Sequence, residues 1–159
     1  MRDASPHPTR RTARLSGLRL VVGKLARCCG GVALNGVLER HWVLAPDARS
    51  AGDARHLLAQ VCQDLPSDTA DVAGLLVTEL VANAVLHGAG RVLLTATRRG
   101  GTIRVEVSDE GPGRPVVQPP DPYMEHGRGL RLVDGLSTGW GTCARTDHRP
   151  GKTVWFELR

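Results

Sequence analysis

Apolar positions along this chain follow two periods. Between Ala48 and Asp64, the residues Ala51, Ala54, Leu57, Leu58 and Val61 recur every three or four positions, the spacing that lines one face of a helix. Pro66 ends that run. Ser67 reads as the N-cap of a second helix, with Asp68 and Asp71 in a first turn where the dipole favours negative charge. Val72, Leu75, Leu76, Leu80 and Val81 carry its apolar side towards His87, and Gly88 and Gly90 supply the stop.

Beyond Gly90 the period changes to two. Val92, Leu94 and Ala96 alternate within Arg91–Arg99, as do Ile103, Val105 and Val107 within Thr102–Ser108, and Gly100-Gly101 between them is a hairpin signal because both positions tolerate positive φ. A Gly/Pro-rich stretch from Gly111 to Gly129 leads to a short helix over 130–136, then to strands over 137–145 and 153–158 joined by a turn at 147–151. Upstream, His41-Trp42-Val43-Leu44 is a short strand closed by Ala45-Pro46-Asp47. Antiparallel hairpins separated by helices predict an α+β fold, a two-layer α/β sandwich with a mixed, mostly antiparallel sheet and its helices on one face. Residues 1–38 lack this patterning and form a basic extension, unstructured to about Arg14 and ambiguous from 15 to 38. Residues 39–159 form the domain.

Charge narrows the function classes. The net charge is +5, but residues 1–30 hold seven of the 21 basic residues and one of the 16 acidic ones, so the rest of the chain is close to neutral. With aromatics at 3%, the domain lacks the stacking platform of a nucleic-acid reader, and no direct nucleic-acid partner is expected. Cys28, Cys29, Cys62 and Cys143 have neither zinc spacing nor the density of a disulfide scaffold, which fits a reducing cytoplasm. Arg19, Lys24 and Arg27 break the apolar patches of 15–37, so no stable membrane insertion is expected there.

Three constellations carry candidate chemistry. Glu79, Asn83 and His87 stand at i, i+4 and i+8 along one stripe of the second helix. A carboxylate and a carboxamide one turn apart suit a proton acceptor and an oxygen ligand for a hard cation, although a solvated helix face has the same look. Asp109-Glu110-Gly111-Pro112-Gly113 follows a strand, where glycines let backbone approach a flat ring and a fixed carboxylate accepts from an exocyclic amine; these are also ordinary turn formers. Gly127-Arg128-Gly129-Leu130 opens a helix, and free N–H groups at such an end bind phosphate, unless the glycines serve only a flexible connection. Gly151-Lys152-Thr153 mimics the end of a P-loop, but the first glycine of that motif would fall at Thr146 and a strand follows, so that reading is rejected.

The order of these pieces resembles the gyrase, heat-shock chaperone and histidine kinase ATPase superfamily over about residues 40–159: Glu79 to Gly88, a hairpin, Asp109 to Gly113, a loop, Gly127 to Leu130, and a late Gly151-Lys152-Thr153-Val154. Within it, the compact form and the ending Gly151 to Phe156 look most like the stand-alone ATP-binding domains of bacterial anti-sigma-factor serine/threonine kinases. The resemblance implies a Bergerat-type ATP-binding fold and ATP with Mg2+ as cofactors. It implies Glu79 as general base, Asn83 as the Mg2+ ligand and Asp109 on the adenine amine. Gly111 and Gly113 would form the floor, Gly127, Arg128 and Gly129 would surround the phosphates, Thr153 would help through water, and 114–126 would be a lid. The implied partners are a sigma factor or an anti-anti-sigma antagonist protein, with homodimerisation left open. Rival readings are an ATP-dependent binding switch without transfer and a sensor histidine kinase fragment. The latter is disfavoured because the residues before the domain hold no long two-helix hairpin with a phosphoacceptor His.

Overall fold

Alternation along each strand sorts side chains between two unlike faces. The computed structural model describes residues 36–112, 128–145 and 149–159. Its elements run β1 (Val37–Leu44), α1 (Ser50–Val61), α2 (Ser67–His87), β2 (Val92–Arg99), β3 (Thr102–Asp109), α3 (Gly129–Leu136), β4 (Gly139–Ala144) and β5 (Lys152–Leu158). Trp42, Leu44, Val92, Leu94, Ala96, Ile103, Val105, Val107, Val154, Phe156 and Leu158 share one face of the sheet. Ala54, Leu58 and Val61 of α1 and Ala73, Leu76, Val77, Leu80 and Val81 of α2 close over it as one core. Each large side chain buried there stabilises the fold by about 1.5–3 kcal/mol. The fold is α+β, as expected.

Four details differ from the sequence reading. The sheet, in the order β1-β2-β3-β5-β4, is antiparallel at every described pairing, not mixed. The reason is that α3 carries the chain past the position of β5, and the β4–β5 hairpin then folds β5 back against β3. Strand β1 starts at Val37 instead of His41, two residues inside the stretch assigned to the extension. Glu39 and Arg40 hid it: Glu39 is a polar alternate on the outer face, and Arg40 is a charged residue on the core side of the register, opposite Ala96. His41 bonds Glu39 at 2.9 Å and Thr95 at 3.0 Å across the pair. Ser67 is not a cap: α2 includes it, Pro66 holds the N-cap position in an extended conformation, and the Ser67 hydroxyl donates to Asp68 at 3.4 Å. In the β2–β3 turn only Gly100 has positive φ (58°).

Burial also sets the chemistry of individual groups. Cys62, at the C-cap of α1, has its thiol pushed up to about 11 by desolvation, with Arg98 pulling weakly the other way. On the far face of the sheet, burial works against the Arg104 charge. Hydrogen bonds to Glu106 (2.7 Å) and Glu157 (2.9 Å) outweigh it and raise the guanidinium above its ordinary value, while the group stacks 3.8 Å from the Trp155 ring. Helix α2 is, among the described residues, the one helix long and apolar enough to cross a membrane by length and composition, yet its apolar side is a large part of the core just described. Leu75, expected on that apolar side, is exposed instead.

Candidate functional site

Helix α2 presses Ala73, Leu76, Val77, Leu80, Val81 and Ala84 into the core, which leaves Glu79 and Asn83 on a half-buried flank facing the start of α3. There Gly129 fits against them so closely that a methyl group on it would stand 2.7 Å from Glu79 Oε2 and 3.1 Å from Asn83 Nδ2. A glycine is required at this contact because any Cβ would displace the carboxylate. Helix α3 begins there without a side-chain cap, after Arg128, an exposed residue. Its first N–H groups have no partner within the helix, so an anion beside Glu79 and Asn83 would meet donors and the positive dipole end together. His87, the third residue of the stripe, is exposed at the last turn of α2 and has no contact with this cluster.

The second half of the site lies at the C-terminal end of the same helix. Asp109, the last residue of β3, is 1% exposed, and Gly88 packs on it: a Cβ there would lie 2.7 Å from Asp109 Cγ and would also collide with the Ala84 carbonyl. The Gly111 amide donates to Asp109 Oδ1 at 2.8 Å, and the Glu110 amide donates to the Ala89 carbonyl at 2.8 Å, fastening the strand end to the α2–β2 turn. With a rise of about 1.5 Å per residue, roughly 13 Å of helix separates Glu79 from Gly88. An elongated ligand lying along α2 would therefore meet a carboxylate–carboxamide pair at one end and a fixed carboxylate between glycines at the other.

Of the predicted site residues, Glu79, Asn83 and Gly129 form one cluster, Asp109 and Gly111 the other, and Arg128 flanks the first. Gly113, Gly127 and the expected lid at 114–126 lie outside the described residues. Thr153 is not brought to Asp109. It pairs with Ser108 in register, and the two hydroxyls bond at 2.7 Å on the opposite face of the sheet. Its neighbour Lys152 is the register partner of Asp109, and Lys152 Nζ lies 2.8 Å from Asp109 Oδ1.

Sequence reasoning missed Lys152 because the resemblance gives Gly151-Lys152-Thr153 a role only at Thr153. It took Gly88 only for a helix stop. Knowledge of the β3–β5 register would have found the first, and no local signal marks the second. Glu110 and Arg145, the latter's side chain 6% exposed, stand 4.0 Å apart at the edge of this cluster, beside Gly151.

The sequence model of the histidine kinase-like ATPase domain family matches residues 44–157. The chain belongs to that family. Membership in a histidine kinase-like ATPase domain family implies that the chain binds ATP. Among curated proteins none matches the sequence. In fold the domain is similar to the RsbU and RsbW domains of Rv1364c from Mycobacterium tuberculosis, at 19% identity and a TM-score of 0.58. That match covers 76% of this chain and 32% of the other, so the domain spans about a third of that protein. It is also similar to the histidine kinase domain from the Erythrobacter litoralis EL346 blue-light activated histidine kinase, at 22% identity and a TM-score of 0.44, over 70% of this chain and 59% of the other.

Proposed function

We propose that this chain is an ATP-dependent regulatory serine/threonine kinase of the anti-sigma-factor type, which moves the γ-phosphate of ATP to a serine on a small antagonist protein. The observation that carries the reading is the Glu79–Asn83 pair, one helical turn apart and packed against Gly129 at the start of a second helix, with Asp109 packed against Gly88 at the far end of α2. The fold shared with a structure that contains an RsbW domain supports it. The partner would be that antagonist, a sigma factor, or both, and the setting the cytoplasm.

The residues present fit ATP with Mg2+. Mg2+ keeps waters and substrate phosphates and takes one or two protein oxygens, a demand that the Asn83 amide oxygen one turn from the Glu79 carboxylate can meet. Asn83 turns Nδ2 towards Gly129, which leaves Oδ1 as the hard donor. When bound, Mg2+ supplies neutralisation of phosphate charge.

This chain's residues do the rest. The first N–H groups of α3 bind phosphate oxygens, and Asp109 accepts from the adenine 6-amine. Glu79 accepts the proton of the serine hydroxyl as its oxygen bonds to the γ-phosphorus and the bond to the bridging oxygen of ADP breaks. Catalysis is then mostly positioning and charge stabilisation.

The test separates binding from chemistry. Asn83→Ala should lose Mg-ATP affinity together with transfer. Glu79→Ala should still bind nucleotide but transfer about 10² to 10⁴ times more slowly, the usual loss for a general base. Calorimetry and single-turnover transfer to a partner captured with ATP measure both. Transfer by Glu79→Ala at the parental rate would refute the base assignment. ATP-dependent capture with no transfer by the parent would leave a non-catalytic binding switch.

A further inference from the structure

Lys152 has no part in the reading above, yet it is the side chain that holds the adenine-facing carboxylate. It stands opposite Asp109 in the β3–β5 register, so both side chains share the helix-covered face at one end of the sheet. Lys152 Nζ sits 2.8 Å from Asp109 Oδ1, with the side chains 15% and 2% exposed. The Gly111 amide reaches that same oxygen. Both donors that contact the carboxylate among the described residues therefore land on Oδ1 and none on Oδ2.

A carboxylate gripped at one oxygen by a cation and a backbone amide cannot turn freely about its last torsion. Gly88 closes the same side, because a methyl group on it would stand 2.7 Å from Asp109 Cγ and 2.8 Å from Oδ1. Oδ2 is the acceptor left for a ligand. As a carboxylate it accepts and does not donate. That is the complement of an exocyclic amine and a mismatch for a ring carbonyl.

We infer that Lys152 is a positioning residue that sets base selectivity: by occupying Oδ1 it orients the Asp109 carboxylate with Oδ2 presented to the 6-amine of a purine. The inference rests on the assignment of Asp109 to the adenine amine. Thr153 cannot substitute for Lys152, since it bonds Ser108 on the other face of the sheet.

The experiment compares calorimetric affinities of the full chain for ATP and for purine riboside 5′-triphosphate, which lacks only the 6-amine. The parent should favour ATP by about tenfold or more, as expected for a hydrogen bond to a charged group. Lys152→Met should lose most of that preference, chiefly through weaker ATP binding, with affinity for the amine-free nucleotide within about threefold of the parent, since the rest of the groove is unchanged. Lys152→Arg, which keeps the cation, should retain the preference. If Lys152→Met does not fold, Lys152→Leu likewise removes both donor and charge and is read in the same way.

A merely structural lysine would weaken both nucleotides alike and leave their ratio at the parental value; that result overturns the proposal while Asp109 keeps its role. A parent that binds both nucleotides equally removes the assignment of Asp109 to the amine and the inference with it.

Discussion

Two glycines separate what is needed for chemistry from what is needed for folding. At Gly129 the nearest atoms in the way of a methyl group are the ends of Glu79 and Asn83, which can swing aside, and Glu79 Cβ at 3.2 Å needs only a small adjustment. At Gly88 they include the carbonyl of Ala84 and the immobile carboxyl of Asp109. Gly129→Ala should therefore melt close to the parent while transferring phosphate about 10²-fold more slowly, the scale of loss for a catalytic group moved by roughly an ångström. Gly88→Ala should lose about 1–3 kcal/mol of stability, the usual range for overpacking. Thermal melts beside single-turnover rates check the pair. Parental transfer by Gly129→Ala would detach α3 from the site. Glu79, Asn83, Asp109 and Gly111 were legible in the sequence because spacing on a helix and position at a strand end are local properties. Lys152 was not, because its role exists only through a strand 43 positions away in sequence.

At the scale of elements, apolar period and turn signals located the described helices and strands, and the errors fell where local polarity or composition misled. The β2–β3 turn shows the limit: Gly100-Gly101 marks a hairpin, but composition does not say which glycine bears the left-handed conformation. Gly100 has φ of 58° and open space around it, and Gly101 has open space without positive φ. Gly100→Ala should cost about 1–2 kcal/mol from conformation alone. Gly101→Ala should stay within about 0.5 kcal/mol of the parent. Urea midpoints for the two variants measure the difference, and equal midpoints would show that the turn does not depend on handedness at Gly100.

For the molecule as a whole, the boundary of the domain matters most. Trp42 and Leu44 lie in the core, 2% and 4% exposed, and all of β1 pairs with β2 from Val37↔Arg99 to Leu44↔Val92. A chain beginning at Gly36 should fold and bind ATP like the parent, with a lower pI because the whole surplus of positive charge is removed. A chain beginning at Ala45 should not fold, having lost an edge strand and two large core side chains at about 1.5–3 kcal/mol each. Circular dichroism and ATP calorimetry on both truncations decide it. A folded, ATP-binding chain from Ala45 would make β1 dispensable, and failure of the chain from Gly36 would give the basic extension a part in the core.

The sequence by itself determined the class of fold, the order of its described elements and the local clustering of Glu79 with Asn83 and of Asp109 with Gly111. These follow from side-chain period, turn chemistry and helix spacing, all of which act within a few residues. The tertiary structure decided the antiparallel order of the sheet, the meeting of Gly129 with Glu79 and Asn83, and the replacement of Thr153 by Lys152 beside Asp109. Those depend on which strand lies next to which and on the register between them. Register is set by packing of the whole apolar face, and a shift of one residue turns every side chain to the other side.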